Sequence, residues 1–366
     1  MTLPQHIPVF AVCGWSGSGK TTVLIEVIQR LVRRGLTVGV VKQDVHGVNI
    51  DHEGKDTDRF YKAGADVLIR GPEQSFSRRH RTDYPPLVHL LKTICPRYDL
   101  ILVEGHKTTP LPNKVWLLAE GEETCPPEAT GIRHVLGRDE DRVGILLQMI
   151  DKWLPTLWRR APLFAGILIG GEGLRMGQPK HVLRIKGRTY LEQIIDAVKP
   201  CVDQTVLLGE AHVPGSLSNV PRLPDAQGVR GPLAGMLAAM RWSPLTSWVF
   251  LGCDQPLVSP EALQWLLDTR KPGVWAVLPR LEHSSDKMEP LLAYYDFRAA
   301  PMLEGVCKPV DIADSPRVAT PLVPASFTCA WTNVNTPADR AHAETVVAQR
   351  SSQQGTALRP PLEYAF

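Results

Sequence analysis

Apolar residues in this chain fall in short, nearly unbroken blocks rather than in strict alternation with polar ones. PVFAVC (8–13), TVGVVK (37–42) and DLILVE (99–104) are such blocks, and LFAGILI (163–169), QTVLLG (204–209) and SWVFLG (247–252) repeat the theme. Runs of this length predict strands covered on both faces, as in parallel sheets. Between them the period changes, and helices are predicted over Val23–Arg34, near 55–63, over GPLAGMLAAM (231–240) and near 260–269. Strands alternating with helices predict an α/β architecture of three layers with mainly parallel sheets. The strands at 8–13 and 163–169 each lead into a glycine-rich turn and then a helical stretch. The two turns differ in detail, so no internal duplication is inferred. Leu154–Pro162 (LPTLWRRAP) has two prolines, two arginines and no strand pattern, which predicts a short linker between two tandem domains.

Composition narrows the function class. The chain has 366 residues, 43% hydrophobic and 22% charged, which excludes wholesale disorder. Net charge is +3; residues 1–160 hold 22 basic against 19 acidic side chains, and the remainder 19 against 19. Neither half has the basic excess of a dedicated nucleic-acid binder. No apolar run approaches the ~18 residues that span a bilayer, and the start lacks a charged segment and cleavage site of a secretory leader. The seven cysteines are scattered and form no CxxC, a pattern of reduced thiols. A cytoplasmic enzyme with small-molecule substrates, no nucleic acid and no membrane is expected.

Gly14-Trp-Ser-Gly-Ser-Gly-Lys-Thr21 fits G-x-x-x-x-G-K-[ST] between a predicted strand and helix. In such a loop backbone N–H groups converge on phosphate oxygens, Lys20 reaches the β/γ-phosphates and Thr21 ligates Mg²⁺. Glu104 ends an apolar strand, where an acid that holds the Mg²⁺ or its water belongs. With VVKQDVHGVNIDHEGKDTDRFYKAGADVLI (40–69) and DLILVEGHK (99–107), this region resembles the adapter protein of molybdopterin-guanine dinucleotide biosynthesis, a GTP-binding P-loop family. The resemblance implies nucleotide contacts from Gly17, Ser18, Gly19, Lys20, Thr21 and Thr22, and roles for Lys42, Asp44, His46, Asp58 and Glu104. Gln43 stands where that family usually has His. His46 and His52 lie six apart, which is not a metal-ligand spacing, so zinc is not expected.

The second turn, Gly170-Gly171-Glu-Gly-Leu-Arg175-Met-Gly-Gln-Pro-Lys180, has no Ser or Thr after its lysine. It suits transfer of a nucleoside monophosphate: glycines wrap a triphosphate, and Arg175 and Lys180 oppose the charge that grows on departing pyrophosphate. Asp254, directly after SWVFLG, is placed to hold Mg²⁺. Asp225, in the loop PDAQGVRGPLAG, can accept from ribose or base N–H donors. Asn335, in TNVNTP, either completes a metal or phosphate shell or belongs to a helix-capping turn. Together, 163–340 resembles molybdenum cofactor guanylyltransferase. That resemblance implies a Rossmann-like nucleotidyltransferase fold using GTP, molybdopterin and Mg²⁺, with roles for Gly170, Gly171, Arg175, Lys180, Asp225 and Asp254, and for Asn333 and Asn335. Gly209-Glu210-Ala211 stands where a base-contacting Asn is expected, and Cys-Asp-Gln-Pro-Leu-Val leans towards the related cytidylyltransferase.

The expected organisation is therefore a P-loop GTP-binding adapter domain (1–153), a linker (154–162), a nucleotidyltransferase domain (163–350) and a poorly ordered tail (351–366). The expected activity is transfer of GMP from GTP to molybdopterin, with molybdenum-inserting proteins or molybdoenzymes as protein partners. Two alternatives stand beside it: a cytidylyl or other nucleotidyltransferase, and a non-catalytic GTP-regulated cofactor scaffold.

Overall fold

The computed structural model describes residues 3–43, 51–80, 86–170, 180–281 and 287–354. The chain divides into two compact units, Met1–Leu157 and Trp158–Phe366.

In the first unit a five-stranded sheet is built from β1 (Val9–Cys13), β2 (Val38–Lys42), β5 (Leu100–Glu104), β6 (Lys114–Leu117) and β7 (Ile132–Leu136), in the order β2-β5-β1-β6-β7. All its pairings are parallel. β1 and β5 are buried along their whole length, as their unbroken apolar runs demand. Helix α1 (Lys20–Arg33) follows β1 and buries Leu24, Val27 and Leu31, one stripe at helical spacing. Register places Glu104 beside Val12 on one side and Lys42 on the other, which brings the acid to the mouth of the glycine-rich loop. Helix α2 (Asp56–Lys62), a hairpin of β3 (Val67–Arg70) with β4 (Ser75–Arg78), and helix α3 (Leu87–Ile94) fill the connection from β2 to β5.

Helix α4 (Arg142–Trp158) closes this unit and alters the expected linker: 154–158 are helical, with Pro155 inside the last turns. Leu154 and Leu157 are buried, so apolar packing holds the helix together past the proline that reads as a breaker.

The second unit centres on a seven-stranded sheet, in the order β12-β11-β8-β13-β15-β14-β16. Its strands are β8 (Leu163–Leu168), β11 (Gln204–Leu208), β12 (Arg222–Leu223), β13 (Ser247–Gly252), β14 (Ala276–Val277), β15 (Ala293–Tyr295) and β16 (Val318–Ala319). Only β15 runs against its neighbours. A small hairpin, β9 (Arg184–Ile185) and β10 (Arg188–Thr189), leads into helix α5 (Tyr190–Val198). There Thr189 and Glu192 form a reciprocal capping box. Helices α6 (Pro232–Trp242), α7 (Pro260–Asp268), α8 (Ala300–Glu304) and α9 (Pro337–Gln354) complete the unit. The last runs past residue 350, into the segment expected to be tail. Both units are thus α/β with mainly parallel sheets. Among the described residues no helix is long and apolar enough to cross a membrane.

Candidate functional site

The first site forms where β1 stops. Gly17 and Gly19 take φ of 78° and 83°, a region that costs side chains with a Cβ, and Gly19 caps the start of α1. Lys20 Nζ donates to the Trp15 carbonyl (2.6 Å) and to Ser18 Oγ (3.3 Å). Burial lowers the pKa of Lys20, Glu104 raises it in opposition, and Cys13, Lys107 and Lys42 act more weakly. Thr21 Oγ1 donates to both Glu104 oxygens (3.3 and 3.4 Å), and Lys42 Nζ lies 3.7 Å from the same carboxylate. Thr22 lies on the exposed side of the first helical turn. The loop lysine, the hydroxyl and the strand-end acid therefore come together, with Lys42 beside them. Asp58 does not join them. Its buried carboxylate accepts from Gly54 N–H and pairs with Lys62 (2.9 Å) and Arg78 (3.0 Å), contacts that hold it ionised well below the usual carboxylate range. Asp44 and His46 lie outside the described residues.

Two further residues build this site, and no local motif points to either. Arg142 is buried at the start of α4. Its guanidinium donates to the carbonyls of Ser18 (2.7 Å), Leu118 (2.6 Å), Leu136 (3.1 Å) and Gly137 (2.6 Å), tying the phosphate loop to the ends of β6 and β7. Lys114 is fully buried, and its ammonium donates to the carbonyls of His106, Lys107, Thr109 and Thr130. It fixes the loop after Glu104. A cavity of about 580 Å³ opens beside that loop, lined by Gln43, Leu87, His106, Lys107 and Thr109 among others.

The second site lies at the ends of β8 and β13. Lys180 Nζ pairs with Asp254 Oδ2 at 3.0 Å and also donates to Asn335 Oδ1. Lys180 and Asn335, 155 positions apart, thus meet beside Asp254. Val334 is buried and its N–H donates to the Asp254 carbonyl (2.8 Å), so the TNVNTP segment is laced to the strand that carries the acid. Asp339 then accepts from Asn335 N–H (3.0 Å) and Thr336 N–H (2.8 Å), so the segment is both a helix cap for α9 and a partner of Lys180. Gln255, also buried, accepts from Gly252 N–H (3.0 Å) and fixes the turn after β13. Burial pushes the Cys253 thiol up to about 12, which keeps it an inert neighbour of Asp254.

Asp225 is exposed, and Gly209 meets the end of β8: a Cβ there would sit 3.2 Å from Gly170 N and 3.9 Å from Asp225 Oδ1. This close approach, together with a φ of 101°, accounts for glycine at that turn. Gly170 and Asp225 are thereby brought to the same sheet edge. Asn333 is exposed and makes none of the contacts of Asn335. Gly171 and Arg175 lie outside the described residues.

Comparison with known proteins agrees with this division. The model of "Molybdopterin guanine dinucleotide synthesis protein B" matches residues 9–132. The molybdopterin-guanine dinucleotide biosynthesis adapter protein of Haemophilus influenzae is 35% identical over 164 residues, 41% of this chain and 91% of that protein. The chain belongs to this adapter family. Its C-terminal half carries a MobA-like NTP transferase domain, matched over residues 165–308, and is a nucleotidyltransferase. A "Probable molybdenum cofactor guanylyltransferase" of Pelotomaculum thermopropionicum is 26% identical over 195 residues, 50% of this chain and 93% of that protein. The adapter half thus holds the phosphate loop, and the transferase domain holds Lys180 and Asp254.

Proposed function

We propose that the chain is a bifunctional enzyme of molybdenum cofactor biosynthesis. Its C-terminal domain transfers GMP from GTP to molybdopterin, releasing pyrophosphate, and its N-terminal adapter domain binds a second GTP. One observation carries this reading: Lys180, Asp254 and Asn335 converge at the ends of two parallel strands. A cation and an acid held together there match the needs of in-line transfer at an α-phosphorus.

In the reaction, a phosphate oxygen of molybdopterin attacks the α-phosphorus of GTP as the bond to pyrophosphate breaks. Lys180, with Arg175, neutralises the departing pyrophosphate. Asn335, held by Asp339, keeps the Lys180 ammonium in place. Hard oxygen donors suit Mg²⁺ at both sites: Asp254 in the transferase domain, and Thr21 with Glu104 in the adapter domain. The space over Gly252 supports that fit, because a Cβ there would lie 2.5 Å from Asp254 Oδ1 and block that oxygen. Bound Mg²⁺ supplies charge neutralisation and orientation of the phosphates. Asp225, at the edge near Gly170, takes the ribose or base.

The test is to supply purified protein, molybdopterin and Mg²⁺ with GTP or CTP and to weigh the dinucleotide product. The guanine dinucleotide is expected, with GTP preferred by at least about a hundredfold, as sites built on base hydrogen bonds allow. Equal or greater use of CTP would move the protein to cytidylyl transfer, and no dinucleotide at all would leave a cofactor-binding scaffold.

A further inference from the structure

Lys107 is a cation that the phosphate-loop pattern does not account for. It follows β5 by three positions, after a turn through Gly105 (φ 93°) and His106 (φ 55°). The backbone at this point is fixed. The Lys107 carbonyl accepts from the buried Lys114 ammonium (2.8 Å) and from Thr130 N–H (3.0 Å). The side chain reaches back over the phosphate loop, where its ammonium lies 3.5 Å from the centroid of the Trp15 ring. Trp15 is 40% exposed, and its carbonyl accepts from Lys20. One residue of the loop thus carries an ammonium at each end: Lys20 on the carbonyl and Lys107 on the ring.

The charge balance is uneven. Lys20, Lys42 and Lys107 surround the loop mouth, and Glu104 answers Lys42. Among the described residues the Lys107 ammonium pairs with no carboxylate. A cation resting on a half-exposed ring is held weakly, whereas a charge-assisted bond to a phosphate oxygen is strong. The fixed backbone and long flexible stem let the ammonium exchange one for the other without moving the loop.

We infer that Lys107 reads the terminal phosphate: with a nucleoside triphosphate bound its ammonium leaves the Trp15 ring for the γ-phosphate, and with a diphosphate it stays on the ring. Lys107 is then the residue that sets triphosphate over diphosphate preference in the adapter domain. This rests on the reading of that loop as a nucleotide site.

The experiment is calorimetric titration of the full chain with GTP and with GDP, following the binding event that Lys20→Ala removes. Lys107→Met should weaken GTP at that event by about tenfold or more and leave GDP within about twofold, while Lys107→Arg keeps most of the preference. Equal weakening of both nucleotides, or of neither, overturns the inference. Trp15 gives a second readout that needs no lysine variant. The part of the emission that Trp15→Phe removes should change on adding GTP and stay unchanged on adding GDP. The same response to both nucleotides would also overturn it. Absence of any Lys20-dependent binding would instead overturn the reading of the loop itself, and the inference with it.

Discussion

The carboxylate of Asp254 lies against the bare backbone of Gly252, where a methyl group would come within 2.5 Å of Oδ1. The other oxygen, Oδ2, is held by Lys180 at 3.0 Å. Glycine at the end of β13 therefore gives the acid its position, and the lysine fixes its orientation.

The first prediction follows from that contact. Gly252→Ala should cut transferase turnover by at least about tenfold with the fold intact, because a displaced acid misplaces the charge it is there to hold. Asp254→Asn should cost on the order of a hundredfold. If Gly252 acts through Asp254, the double variant will be no slower than Asp254→Asn alone. Steady-state rates and circular dichroism of the three variants check this, and multiplying losses would show an independent role for the glycine.

Arg142 carries the second prediction. Four carbonyls on three different segments accept from one buried guanidinium. Arg142→Met takes the guanidinium away from all four carbonyls, of which Leu136 keeps the Leu118 N–H, at a cost of roughly 2–4 kcal/mol for a buried network. It should also weaken GTP binding at the Lys20-dependent event, because the Ser18 carbonyl is no longer held. Arg142→Lys should recover little, since one ammonium cannot span the fork. Urea unfolding and calorimetry check both parts. Unchanged stability in Arg142→Met would show that the network holds nothing.

The contrast between these residues explains what the sequence made legible. The phosphate loop is a local object: its strand, glycines, lysine and threonine are contiguous, so spacing alone puts Gly17 to Thr22 at the turn between β1 and α1, where they lie. Glu104 and Asp254 were readable because an acid ending an apolar run sits at the carboxyl edge of a parallel strand. Arg142 meets Ser18 across 124 positions, and Lys114 is a charged residue at the head of a buried strand; neither has a local signature. α4 was hidden by Pro155 and the arginines that follow, although apolar burial overrides the breaker. Asp58, singled out by family resemblance alone, has no such local signature either, and its contacts are with Lys62 and Arg78.

A third prediction concerns pH. Burial, opposed by Glu104 and assisted by Lys107 and Lys42, lowers the pKa of Lys20. Its ammonium therefore loses its proton earlier than an ordinary lysine as pH rises, and the cation facing the β/γ-phosphates goes with it. Nucleotide affinity at the Lys20-dependent event should fall on the alkaline side of neutrality. Lys20→Arg, weaker at neutral pH, should show a flatter profile, because its guanidinium stays charged. Titration of the base itself moves both proteins alike, so parallel profiles for lysine and arginine would refute the assignment.

The last prediction separates the two chemistries. The adapter site draws on residues between Cys13 and Arg142, and the transferase site on residues from Gly170 to Asp339; each is built from its own unit. Two nucleotides should therefore bind per chain. Lys20→Ala should abolish one binding event, since that lysine is the loop's own cation for the β/γ-phosphates. Transfer by the other site should persist within about twofold in a purified assay, because Lys180 and Asp254 are untouched. Intrinsic GTP hydrolysis by the adapter site should be slow: among the described residues nothing marks a water-positioning glutamine or an arginine finger, and those groups supply most of the rate in fast P-loop hydrolases. The measurements are binding stoichiometry, dinucleotide formation and phosphate release on the same two proteins. Loss of transfer in Lys20→Ala would mean that the adapter nucleotide is an obligatory part of the transferase cycle, and the description of two separable activities on one chain would fail.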